Sequence, residues 1–213
     1  MAEWGEAVER DYNHPSIVAW VPINESWGVP NIARDFQHQS LALALYYQCK
    51  AMDPTRLVVG NDGWEMTKSD ICAIHNYMHG KPEDTKQHAR FEKSLSTKED
   101  LLSDIPAGRP IYAEGWQYDG APILLTEFGG ISLVNDVDKA WGYTQVGEVD
   151  TFVAEYRRIM EAIDRSQALY GFCYTQLSDV EQETNGLLTY DRKYKVDPEI
   201  IRAINDRVKG FDL

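Results

Sequence analysis

The chain has 213 residues, 43% of them apolar, and a formal net charge of −13. That is enough apolar material for one large core or two small ones, which argues against disorder. The acidic balance argues against nucleic acid and anionic membrane surfaces as partners, since both select basic patches, and no apolar run approaches the ~20 residues needed to span a bilayer.

The start, Met1 to Glu6, is acidic and lacks the apolar segment of a signal peptide, so a cytoplasmic setting is the default expectation, with secretion of a longer parent left open. Residues 3–12 read as the tail of a helix stopped by Asn13-His14-Pro15, because proline disfavours helix at the residue before it. An apolar run then predicts a strand over 17–24, buried on both faces and closed by Asn24-Glu25-Ser26-Trp27-Gly28. A helix is expected over 33–51 with Leu41, Ala44 and Leu45 as its apolar stripe. A strand over 57–60 ends in Asn61-Asp62-Gly63-Trp64, and another over 70–77 ends in His75-Asn76-Tyr77. Residues 82–104 are charged and predict a loop plus one helix near 85–102, and 110–113 predicts a short extra strand. Pro122 to Gly130 forms a strand carrying Glu127 near its end, followed by a polar loop over 131–148. A helix over 149–166 presents Phe152, Val153, Tyr156, Ile159, Met160 and Ile163 at helical spacing. Leu169 to Thr175 is the last strand, and an acidic loop over 176–188 follows it. A final helix over 197–209 opens on Asp197-Pro198, an N-cap followed by proline at the first helical position. The three cysteines, Cys49, Cys72 and Cys173, match no metal motif and are expected as buried free thiols of a reducing compartment.

Strands alternating with helices imply an α/β fold with a parallel sheet, and the chemically capable residues fall just after the strands, where (β/α)₈ barrels build active sites. About five strand–helix units are countable, whereas a whole barrel typically takes ~250 residues. The expectation is therefore a partial barrel, its last five units, spanning 1–213. Two strands each delivering one glutamate, Glu25 and Glu127, suggest a two-carboxylate catalyst. His75 and His79 have metal-like spacing, but Asn-Tyr-Met between them is not a metalloprotease motif, and neither metal nor cofactor is expected. Gly129-Gly130 lacks a phosphate-loop context and is read as a tight backbone turn past Glu127.

Arg10-Asp11-Tyr12-Asn13-His14-Pro15-Ser16-Ile17-Val18-Ala19-Trp20 with Asn24-Glu25-Ser26 resembles the acid/base signature of glycoside hydrolase family 2. Thr126-Glu127-Phe128-Gly129-Gly130 resembles its nucleophile strand, and Gly171 to Arg192 is similar to the end of its catalytic barrel. The resemblance implies retaining cleavage of β-glycosides, as in β-galactosidases, β-glucuronidases and β-mannosidases, by a barrel that follows β-sandwich domains. It makes Glu25 the general acid/base and Glu127 the nucleophile, with the two carboxyls ~5–5.5 Å apart. It makes Asn24 the partner of the sugar 2-hydroxyl, and places Asp62, Trp64, His75, Asn76, Tyr77, Trp116 and Gln176 around the substrate. The last strand ends in Thr175 where well-known members carry a tryptophan, which leaves galactoside and glucuronide specificity both open. The resemblance also implies that the N-terminal barrel units and the β-sandwich domains are missing from 1–213, so this chain is expected to be inactive or weak. An open part-barrel exposes strand edges and apolar faces, so self-association, or pairing with the missing N-terminal part, is expected beside a carbohydrate partner. Two other readings are a non-catalytic carbohydrate-binding or pseudo-enzyme fragment and, more weakly, a metal-dependent barrel hydrolase.

Overall fold

A computed structural model of the protein describes residues 1–133 and 141–208. The chain forms two compact units, Met1–His75 with Leu102–Thr126, and Asn76–Leu101 with Glu127–Leu213.

The first unit begins with α1 (Ala2–Asp11), β1 (Ala19–Trp20), α2 (Phe36–Met52) and β2 (Leu57–Val58). β1 and β2 are parallel, with Ala19 opposite Leu57 and Trp20 opposite Val58. Pro22 lacks an N–H, so the ladder lapses there. It resumes where the Asp62 N–H donates to the Ile23 carbonyl and the Glu25 N–H to the Asp62 carbonyl, both at 2.9 Å. The strand expected over 17–24 is thus two residues plus a bridge. It is not buried on both faces, since Val18 and Val21 are exposed. β3 (Cys72–Asn76) begins in this unit, fully buried, and the Cys72 N–H donates to the carbonyl of Pro122, just before β4 (Ile123–Gly129). The extra strand expected at 110–113 is a single bridge between Met66 and Tyr112.

Asp35 caps α2 by accepting from the Gln37 and His38 N–H groups, which starts the helix at Phe36 rather than 33. The buried face of α2 is Gln39, Ala42, Tyr46 and Cys49, while Leu41 is exposed. Of the expected stripe, Leu45 packs against the core and Ala44 is half-buried, while Leu41 faces out. Two specific anchors fix the observed face: Tyr46 Oη donates to Asp70 Oδ1 (2.6 Å), and Cys49 Sγ accepts from Trp4 Nε1 (2.9 Å). Val8, Trp20, Tyr46, Cys49 and Val58 form one core cluster, and Ile23, Val29, Ile32 and Ala42 another.

The second unit contains α3 (Thr85–Ser96) and the start of α4 (Lys98–Ser103). The single helix expected here breaks at Thr97, whose Oγ1 accepts from the Asp100 N–H (3.1 Å) as a new N-cap. The expected loop after Glu127 holds a short parallel pair, β5 (Ile131–Leu133) and β6 (Thr144–Val146); its residues 134–140 lie outside the described residues. Then come α5 (Val149–Asp164), β7 (Leu169–Thr175) and α6 (Pro198–Asn205), the last capped by Asp197; residue 209, the expected end of this helix, also lies outside the described residues. α5 buries Phe152, Tyr156, Ile159, Met160 and Ile163, the stripe expected apart from half-buried Val153. The Gly130 N–H donates to the Thr175 carbonyl (2.9 Å), which joins the end of β4 to the end of β7. Cys49 and Cys72 are buried free thiols, but Cys173 is exposed on β7, contrary to expectation, because this strand is fully buried only at Leu169. No helix among the described residues is long and apolar enough to cross a membrane.

Candidate active site

In the first unit the acid/base candidate stands on a turn that few residues tolerate. Glu25 and Ser26 have φ of 52° and 60°, in the left-handed region, and Glu65 has 48°. A buried network holds them. Asn61 Oδ1 accepts from the Ser26 N–H (3.0 Å), and Asn61 Nδ2 donates to Ser26 Oγ (3.0 Å) and to the Trp64 carbonyl (2.8 Å). Ser26 Oγ donates to Glu65 Oε2 (2.6 Å), which Arg109 Nη1 also meets at 2.9 Å. Asn61, Glu65 and Arg109 carry no motif of their own. Only the contacts made by folding reveal them.

Glu25 Oε1 lies 2.9 Å from Nδ1 of His75, and Nε2 of the same ring lies 3.1 Å from Asp62 Oδ1; the His75 side chain has no exposed surface. Thr126 Oγ1 donates to that Asp62 oxygen (2.6 Å). A neutral imidazole has one N–H, and here both ring nitrogens face carboxyl oxygens. Nδ1 and Glu25 Oε1 are hydrogen-bonded, so one proton lies between them, on the ring or on the carboxyl. Asp62 is turned to His75 and to Thr126. Trp64 is buried, with His75 against it edge-on (5.7 Å) and the Arg109 guanidinium over its ring (5.7 Å). Asn24 is exposed, its backbone bridged to Asp62. Trp116, half-buried, donates from Nε1 to Gln39 Oε1 on α2 (3.2 Å).

The second unit holds the nucleophile candidate. Tyr77 Oη lies 2.6 Å from Glu127 Oε2 and 3.0 Å from Thr175 Oγ1. The phenol has one proton, which goes to the carboxylate, and the Thr175 hydroxyl completes the oxygen's bonding. Burial, then the neighbouring Glu127 charge and hydrogen bond, pushes the Tyr77 phenol well above its ordinary range, so it stays a donor. Past Glu127, Gly129 and Gly130 both have positive φ (88° and 63°), the tight turn read from the sequence. His79 Nε2 meets the Gly129 carbonyl at 2.7 Å and braces this turn. Its Nδ1 lies 3.0 Å from the Gly80 carbonyl, and burial lowers the His79 pKa. Asn76 is buried and serves local structure, accepting from the Met78 N–H (2.9 Å). Gln176 Nε2 donates to Asn185 Oδ1 (2.7 Å).

Parallel strands alternating with helices, with one candidate carboxylate after β1 and another on β4, make a partial α/β barrel. Residues 1–209 match the family model described as glycosyl hydrolases family 2, TIM barrel domain, and the chain belongs to that family. A β-galactosidase from Priestia megaterium is 37% identical over 95 residues, covering 41% of this chain and 8% of that protein. Solved structures share the fold at lower identity. A Faecalibacterium prausnitzii β-glucuronidase has a TM-score of 0.65 at 19% identity, covering 99% of this chain and 35% of its own. A Bifidobacterium dentium β-glucuronidase complexed with coumarin-3-O-glucuronide has 0.65 at 20%, covering 99% and 34%. An Eisenbergiella tayi β-galacturonidase bound to glycerol has 0.63 at 15%, covering 99% and 36%. The chain thus spans about a third of the length of these solved relatives.

Proposed function

We propose that this chain carries the catalytic carboxyl groups of a retaining β-glycosidase, Glu127 as nucleophile and Glu25 as general acid/base. The observation that carries the reading is the opposite provisioning of the two groups. Glu25 sits beside a histidine that shares a proton with it, while Glu127 accepts from a tyrosine that keeps its own. In the proposed reaction Glu127 attacks the anomeric carbon as the glycosidic bond breaks, and Glu25 protonates the departing oxygen. A glycosyl ester on Glu127 results. Glu25 then takes a proton from water, whose oxygen attacks the same carbon and frees Glu127, with retention. Asn24 is proposed to hold the sugar 2-hydroxyl, and the isolated chain is proposed to turn over weakly or not at all.

A 2-fluoro-β-glycoside with a good leaving group tests this, because it traps the ester. In the longer parent protein, mass spectrometry is expected to find the sugar on Glu127, and Glu127→Gln is expected to abolish the adduct. Label on any other residue overturns the assignment.

A further inference from the structure

Two large aromatic rings lie exposed on one short segment of the second unit, Trp141 at 46% and Tyr143 at 44%. The segment is held at both ends. The Trp141 N–H donates to the Gln182 carbonyl (2.8 Å), and the Thr184 N–H donates to the Trp141 carbonyl (3.0 Å). The Tyr143 N–H donates to the Gly130 carbonyl (2.9 Å), and a Cβ on Gly130 would collide with the Tyr143 ring. Gly130 is therefore glycine both for its turn and for the space this ring occupies.

The rings are in series with the nucleophile. Tyr143 stacks face to face on Tyr77, with centroids 3.6 Å apart and planes within 6°, and Trp141 packs on Tyr143 at 4.9 Å and 66°. Tyr77 in turn donates to Glu127. Rigid, exposed, amphipathic rings suit the apolar C–H face of a pyranose, and they lose little entropy on binding it. We infer that Trp141, propped on Tyr143, is a stacking face for a second sugar ring, the one joined to the ring that reacts. The inference rests on Glu127 being the nucleophile, because that fixes which end of the aromatic series faces the reacting sugar. The substrate class is then an oligosaccharide or disaccharide β-glycoside rather than a simple monoglycoside.

The test is calorimetric titration of the folded chain with lactose and cellobiose, each against its methyl β-monoglycoside. Each disaccharide is expected to bind about five- to tenfold more tightly than its monoglycoside, the range of one aromatic contact. Trp141→Ala is expected to remove that gain and leave monoglycoside affinity alone, and Trp141→Phe to restore most of it. An undiminished gain in Trp141→Ala overturns the platform, as does equal or absent binding of both sugars by the unaltered chain. The 2-fluoro label is scored separately. A label on Glu127 without a Trp141-dependent gain removes the platform only. A Trp141-dependent gain with the label elsewhere removes the nucleophile assignment and keeps a sugar-stacking surface.

Discussion

At the scale of single residues, each carboxylate is defined by one neighbour. For Glu127 it is Tyr77, whose phenol is buried, kept protonated and placed 2.6 Å from the carboxylate. A hydrogen bond to a charged group contributes ~1.5–3 kcal/mol, so Tyr77→Phe is expected to slow labelling of Glu127 by about 10- to 100-fold. The substitution keeps the ring and its stack on Tyr143, so the thermal midpoint should hardly move. If the labelling rate is unchanged, the phenol only fills space. The catalytic candidates themselves were legible in the sequence, because a carboxylate at the end of an apolar run is a visible anomaly. Ser26, Asn61, Glu65 and Arg109 were not, because a buried network joins residues up to 44 apart and leaves no periodic trace. Trp141 and Tyr143 lay in what read as a polar loop, and only their exposure marks them.

At the scale of elements, the join between α2 and β2 depends on one buried side chain. Asp53 ends α2 and accepts from Trp20 Nε1 of β1 (2.9 Å), Thr55 Oγ1 (2.6 Å) and Arg56 Nη1 (2.6 Å). Burial alone would raise its pKa, but the hydrogen bonds from Thr55, Arg56 and Trp20 outweigh it and hold the carboxyl well below its ordinary range. A depressed folded-state value contributes stability that is present above the unfolded carboxylate pKa of ~3.9 and is lost as pH falls below it. Thermal melts from pH 6 down to pH 3 are therefore expected to fall in midpoint, with a shallower fall in Asp53→Asn. At pH 7, Asp53→Ala is expected to lower the thermal midpoint, since it removes the shared acceptor of Trp20, Thr55 and Arg56. Parallel acid profiles for the two chains would remove Asp53 from this role. Helix existence was legible throughout because 3.6-residue periodicity is a local signal. The buried face of α2 was legible only in part, since its anchors are a tyrosine hydroxyl and a thiol rather than leucines. The break at Thr97 did have a signal, Thr-Lys-Glu-Asp, a capping residue three before an acid.

At the scale of the whole molecule, the charge of −13 bears on which glycosides reach the site. The solved structures that share the fold include β-glucuronidases and a β-galacturonidase, and a relative matched over 95 residues is a β-galactosidase. A uronate carries a negative charge and a galactoside does not. Against a net-negative protein, long-range repulsion should slow the approach of the uronate alone. Raising the ionic strength from about 0.01 M to about 0.15 M shortens the screening length from about 30 Å to about 8 Å, which removes most of that repulsion. The association rate of a methyl β-glucuronide is thus expected to rise several-fold over this range, and that of a methyl β-galactoside to stay level. Stopped-flow measurement of both rates decides the matter. If salt instead weakens the uronate, a local cationic pocket outweighs the overall charge, and the chain's specificity turns toward uronides. If salt speeds the uronate and spares the galactoside, the field of the molecule selects neutral sugars before any hydroxyl is read.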